Sequence, residues 1–215
     1  FVGMIDQWQS IVVFLAIASI IFGAVAAIGQ NNLKRLIAYS SISHIGYALA
    51  GLSVGTNEGI QSSIIYIFIY LVMNLGLFSC LFMMKRNNEY FETIEDLSGL
   101  SKNHPLLSLS LLVILFSLAG IPPLAGFFAK FYIFKSVIDQ SMYFLAIVGL
   151  LSTVIAAFYY LRIIKVIYFD EQKEKYDVDH SIPLKFSLTF STLLILLYFI
   201  YPSKLLEIVS RINII

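Results

Sequence analysis

Lys130 and His44 are ionisable residues set in runs of sequence that are otherwise apolar. Lys130 follows the string Gly120-Ile121-Pro122-Pro123 inside the long apolar run Leu106–Ile138. As one straight helix that run would measure about 50 Å at 1.5 Å per residue, against a hydrocarbon core of about 30 Å. Something must bend or break it. Proline removes a backbone donor and clashes with the preceding turn, and Gly120 tolerates unusual dihedrals. The predicted break at Gly120, Pro122 and Pro123 leaves backbone amides and carbonyls unpaired at membrane depth. Such groups are tolerated only when buried in protein or lining a wet cavity. Interrupted helices of this kind are typical of ion-transporting membrane proteins.

Lys130 lies about two turns past the break, roughly 12 Å inside the surface if Ile138 marks it. Two readings stand. The lysine snorkels to the interface, or its amine is buried and lines a proton path. An amine removed from water can alternate between charged and neutral forms near neutral pH, and charges at membrane depth are commonly functional. Lys135 is nearer the surface and reads as snorkelling.

Ser40, Ser43, His44 and Tyr47 recur at spacings of three and four, which places them on one helical face. Histidine titrates near physiological pH, and a hydroxyl-lined stripe can order water. Hydrogen bonding between packed helices explains the same pattern. His44 is therefore a second relay candidate, and Asn74 reads as packing glue. Arg162 and Lys165 read as snorkelling residues that help set topology. His104 and His180 are loop residues without companions, and neither is given a metal or catalytic role. Cys80 is the single cysteine, so no disulfide, four-thiolate zinc site or iron–sulfur cluster can form within the chain. No phosphate cradle, nucleophile elbow or paired thiol occurs. No residue is assigned to a cofactor or a metal. A formal net charge of +1 points to no nucleic-acid partner.

The elements that must hold these residues follow from composition. Of 215 residues, 59% are hydrophobic and 13% charged, and the mean hydropathy is +0.87. Soluble domains carry roughly 25% charged residues, so lipid must be the solvent for most of this chain. The expected fold is all-α, a polytopic membrane helix bundle forming a single membrane domain over residues 1–215. About six transmembrane helices are predicted, at 11–28, 36–54, 60–84, the broken Leu106–Ile138, 142–169 and 184–201, the last terminated by Pro202. Ten of the 14 Lys and Arg residues lie in or beside the connections after the first, third and fifth spans. The positive-inside bias then places those connections in the cytoplasm and both termini outside. The longest connection, 85–104, reads as a solvated connector. A chain beginning at Phe1 without a charged leader carries no expected signal peptide, and reads as a fragment, a processed chain or a remnant of a longer gene.

Three strings carry a resemblance. NNLKRLIAYSSISHIGY (31–47), FSLAGIPPLAGFFAKFYIF (116–134) and FYYLRIIKVIYF (158–169) resemble the antiporter-like membrane subunits of respiratory complex I, the proton-pumping NADH–quinone oxidoreductase, and its N-type members in particular. The resemblance covers essentially the whole chain. It implies the carboxy-terminal portion of a longer subunit built from inverted repeats, with Leu106–Ile138 matching the family's broken helix. Lys130 then matches the buried residue that ends the family's central chain of protonatable groups. A buried glutamate and two lysines found earlier in such subunits have no counterpart. The resemblance also implies proton translocation coupled to electron transfer from NADH to quinone. NADH, FMN, iron–sulfur clusters and quinone would lie elsewhere in the complex. Its other membrane and peripheral subunits would be partners, and a bacterial inner membrane the location. Two alternatives stay open: a subunit of a related cation–proton antiporter or membrane-bound hydrogenase, or a non-pumping truncated scaffold.

Overall fold

Long apolar runs close into helices because lipid offers no partner for a bare backbone. The computed structural model describes residues 5–86, 89–171, 177–178 and 181–211. Its elements, in chain order, are α1 (Ile5–Ile28), α2 (Leu33–Ser53), α3 (Asn57–Met83), β1 (Met84–Arg86), β2 (Glu89–Tyr90), a 3-10 turn (Ile94–Leu97), α4 (Leu100–Asn103), α5 (Pro105–Ala119), α6 (Ala125–Asp139), α7 (Tyr143–Phe169), β3 (Asp177–Val178), α8 (Ile182–Leu197), a second 3-10 turn (Tyr198–Ile200) and α9 (Pro202–Ser210).

Among the described residues, four helical stretches are long and apolar enough to cross a membrane unaided: Gln7–Ile28, Asn57–Met83, Tyr143–Phe169 and Ile182–Ile200. The second predicted span, α2, carries Lys34, Arg35 and its polar stripe, and packs against α1, α3, α6 and α7. The fourth is two helices, α5 and α6, of 15 residues each. Each is about 22 Å long, so only the pair together spans the core. Phe14, Leu71, Leu151, Val154 and Phe158 stay exposed, as side chains facing lipid do. The chain is a multi-pass helical membrane protein.

α1 and α2 approach closely because each offers a glycine at the crossing. A Cβ on Gly46 would lie 2.7 Å from Ile20 Cγ1 and 3.0 Å from the Ala16 carbonyl. Small residues let backbones approach in this way. Gly46→Leu is expected to force α1 and α2 apart and destabilise the fold by about 1–3 kcal/mol, the usual cost of overpacking. A lower thermal midpoint of the purified membrane assembly would show it, and an unchanged midpoint would contradict the packing described.

The three basic connections meet at one end. Leu33 N–H donates to the Glu92 carbonyl at 2.7 Å, and Ile94 N–H to the Asn31 carbonyl at 3.0 Å. β1 pairs antiparallel with both β2 and β3. Gly99 N–H donates to the Val166 carbonyl near the end of α7 at 3.2 Å. The all-α bundle carries a small three-stranded sheet at this end, and one expectation is corrected: residues 89–104 pack as a cap instead of forming a solvated connector. Phe91, Ile94, Leu97 and Leu100 within it are buried, and Thr93 and Asp96 form a reciprocal capping box. The charges in that loop hid an apolar set that needed a surface to cover.

The last span stops just before Pro202, as expected: α8 runs on through the 3-10 turn to Ile200, and Pro202 opens α9 as its first residue, where its missing N–H costs nothing. His180 lies outside the described residues.

Candidate functional site

The break forms because α5 is closed and α6 opened by specific groups. Gly120 takes φ 87° and ψ 34°, a left-handed conformation suited to glycine. Its N–H donates to the Ser117 carbonyl at 2.9 Å, and Ile121 N–H donates to the Phe116 carbonyl at 3.0 Å. That pair of bonds is a Schellman closure. The Pro122–Pro123 bond is cis. The N-cap of α6 is Leu124, whose side chain cannot cap. Instead Ser117, from the other half-helix, accepts from Gly126 N–H through Oγ at 2.9 Å and donates to Met73 Sδ at 3.0 Å. A Cβ on Gly126 would collide with the Ser117 carbonyl.

Lys130 completes this joint. Side chains on a helix lean toward its N-terminus, so Lys130 on α6 reaches back to the break. Its Nζ donates to the carbonyls of Leu118 at 3.2 Å and Ala119 at 3.1 Å. A cation there complements the negative end of the α5 dipole. The residue is 4% exposed, and Nζ lies 5.3 Å from the centroid of the Tyr47 ring, within cation–π range. Of the two sequence readings, snorkelling does not occur. Lys135 points outward and pairs with Asp139 at 3.6 Å, both side chains well exposed.

His44 is 3% exposed and held on both edges. Its Nδ1 lies 2.7 Å from the Tyr66 hydroxyl on α3, and its Nε2 lies 3.3 Å from the Tyr160 hydroxyl on α7. Ser40 Oγ bonds the same Tyr160 hydroxyl. The imidazole stacks on Tyr70 with centroids 4.7 Å apart. Tyr47 donates its hydroxyl to the Gly149 carbonyl or to Thr153 Oγ1, each at 2.9 Å. The stripe read on α2 therefore splits. Ser40, His44 and Tyr47 face α3 and α7, whereas Ser43 bonds the Ile20 carbonyl of α1. Ser117, Tyr66, Tyr70 and Tyr160 were not singled out from sequence, although hydroxyls in apolar helices were the available signal. Removing the imidazole orphans the Tyr66 hydroxyl, which costs about 1–3 kcal/mol. His44→Phe is accordingly expected to lower thermal stability, while Ser40→Ala, which leaves both His44 bonds in place, is expected to cost less. The reverse order in a melting experiment would contradict this network.

Arg162 adds a specific set of bonds to its expected position beside the basic loop. It reaches to the basic end of the bundle, where it donates to the carbonyls of Ile28 at 3.4 Å and Gln30 at 3.3 Å and to Asn31 Oδ1 at 2.6 Å, tying α7 to the α1–α2 turn. Lys165 pairs with Asp170 at 3.5 Å. Asn74 bonds the Tyr70 carbonyl of its own helix at 3.1 Å in place of a neighbouring helix. His104 precedes Pro105 at the start of α5 and makes no side-chain cap. Cys80 is buried and free, and no group of three His, Cys, Asp or Glu able to hold a metal occurs among the described residues. The donor set does not fit an iron–sulfur cluster or a zinc ion.

What the arrangement can do is hold an exchangeable proton. An amine sits on carbonyls at a broken helix, next to an imidazole bridged by phenols.

Comparison with known proteins places this site in context. Residues 1–156 match the family model described as NADH:quinone oxidoreductase/Mrp antiporter, transmembrane. NADH-quinone oxidoreductase subunit N of Pelagibacter ubique is 84% identical over all 215 residues, which make up 46% of that protein. A chain of respiratory complex I from Thermus thermophilus with bound NADH superposes with a TM-score of 0.83 at 26% identity, over 96% of this chain and 44% of that one. A chain of the membrane-bound sulfane sulfur reductase, an archaeal respiratory membrane complex, superposes at 0.85 with 25% identity, over 96% of this chain and 42% of that one. The chain thus spans just under half the length of the proteins it matches. It belongs to the NADH:quinone oxidoreductase/Mrp antiporter transmembrane family.

Proposed function

We propose that this chain is the carboxy-terminal part of a longer antiporter-like subunit that translocates protons in a membrane NADH–quinone oxidoreductase, with Lys130 as its proton carrier and His44 as a relay. One observation carries the reading: a buried lysine amine bonded to the open carbonyls of an interrupted helix. As an ammonium, Lys130 is held at the break by those carbonyls and by the Tyr47 ring. As a neutral amine it loses most of that attraction and is free to swing. The two protonation states thereby favour two positions, as a carrier requires. Redox groups would sit in other subunits, and the remainder of the subunit would supply the other half of the path. The gathering of basic connections at one end supports a cytoplasmic position for that end and an outer position for both termini, in a bacterial inner membrane.

The family description also covers Mrp antiporters, and the sulfane sulfur reductase chain superposes equally well. Purification separates these readings. A tag on this subunit is expected to bring down NADH–quinone oxidoreductase activity with peripheral iron–sulfur subunits. Recovery of membrane antiporter subunits alone would overturn the complex I reading.

A further inference from the structure

α5 and α8 both begin at the basic end of the bundle and pack against each other. Between their first turns lies a cleft of about 490 Å³, whose lining includes Asn103, His104, Leu107, Lys185, Leu188 and Thr189. Lys185 and Thr189 share a face of α8 at a spacing of four, across from Asn103 and His104 at the start of α5. None of these four polar side chains is hydrogen-bonded or ion-paired among the described residues. They offer an ammonium, a hydroxyl, an amide NH2 and an imidazole N–H, so each can donate.

Among the described residues no carboxylate lines this cleft. The larger cleft at the same end, about 890 Å³ beside Arg162, is lined by Glu95, Asp170 and Glu171. The small one near Lys135, about 110 Å³, is lined by Glu58 and Asp139. Of these three, the cleft between α5 and α8 has the charge complementary to an anion. Its remaining walls are apolar. Leu107 and Leu188 are buried, Leu106 is 79% exposed, and Leu109 and Leu193 are exposed one turn deeper than Leu106 and Thr189. A soluble anion gains nothing from such walls, whereas an acyl chain gains contact with them.

We infer that this cleft binds one anionic diacyl phospholipid, its phosphate held by Lys185, His104, Asn103 and Thr189 and its chains laid over Leu106, Leu109 and Leu193. A lysine ammonium acts as a point-charge partner for phosphate, and basic pockets between membrane helices take anionic head groups in this way. The bound lipid bridges the first turns of α8 to the half-helix that precedes the break, so it ties the last span to α5. The inference does not depend on Lys130 as a carrier.

Photolabelling of the full-length subunit in its complex tests the site. The complex is reconstituted in phosphatidylcholine nanodiscs with a small share of phosphatidylglycerol that carries a diazirine on one acyl chain. After irradiation, peptide mass spectrometry is expected to find adducts in residues 103–110 and 182–193. Lys185→Gln should lower that labelling about fivefold, the contribution of one basic residue to holding an anionic lipid. Lys185→Arg keeps the charge and should retain the labelling, and Lys135→Gln at the opposite end should leave it unchanged. Lys185 is exposed, so the yield of intact complex should be the same for all three variants. Equal labelling by a phosphatidylcholine carrying the same diazirine, or an equal fall with Lys135→Gln, overturns the inference. So does displacement of the adducts by inorganic phosphate at constant ionic strength, which would mark a free-anion site. Absence of adducts from both segments, the result if a polypeptide fills the groove, overturns it as well.

Discussion

Lys130→Met in the assembled complex is expected to abolish proton translocation through this subunit while the subunit stays in place. Methionine is unbranched and adapts to irregular buried space, so the cavity around the break stays filled. The variant loses the two bonds to Leu118 and Ala119. Bonds to a charged group contribute about 1.5–3 kcal/mol each, so a measurable drop in thermal stability should accompany the loss of pumping. The two effects are separable. Assembly is read from the yield of intact complex, and translocation from acidification of the vesicle lumen during NADH oxidation. Normal assembly with undiminished translocation would contradict the role assigned to the amine.

A comparable effect is expected from Gly120→Val, where the cause is backbone and not charge. The left-handed φ of 87° costs an L-residue about 1–2 kcal/mol, more for a β-branched one. A Cβ there would also sit 3.0 Å from Lys130 Cδ and 3.2 Å from its Nζ. The substitution thus strains the closure of α5 and displaces the lysine from its carbonyls. Gly29→Ala supplies the contrast, since a Cβ at Gly29 meets nothing within 4 Å. Gly120→Val should reduce both thermal stability and translocation, and Gly29→Ala should change neither appreciably. Equal behaviour of the two variants would remove the break from the mechanism.

Sequence reached the break and the lysine because both follow from local rules. A run too long for the membrane, with Gly120, Pro122 and Pro123 inside it, has to be interrupted, and helical side chains lean backward from wherever they stand. Ser117 as the cap of α6 was not legible, because it acts across the break on a residue nine positions away. The clamp on His44 was hidden for the same reason. Its two phenols come from α3 and α7, and which helices adjoin α2 is a tertiary fact. Ser43 looked like its neighbours at three- and four-residue spacing, yet the intimate α1 crossing claims it. Arg162 was read by depth alone, whereas the bare carbonyls of the α1–α2 turn decide where it points. The cap formed by 89–104 was obscured by its charges, with Ile94, Leu97 and Leu100 between them.

Lys130→Arg separates holding a charge from exchanging a proton. Guanidinium stays protonated in proteins and can still donate to the carbonyls of Leu118 and Ala119. The variant complex should therefore assemble and carry electrons, yet translocate no protons through this subunit. Translocation at the unmodified proton-to-electron ratio would show that a fixed positive charge is sufficient at the break, and the carrier would have to be sought elsewhere.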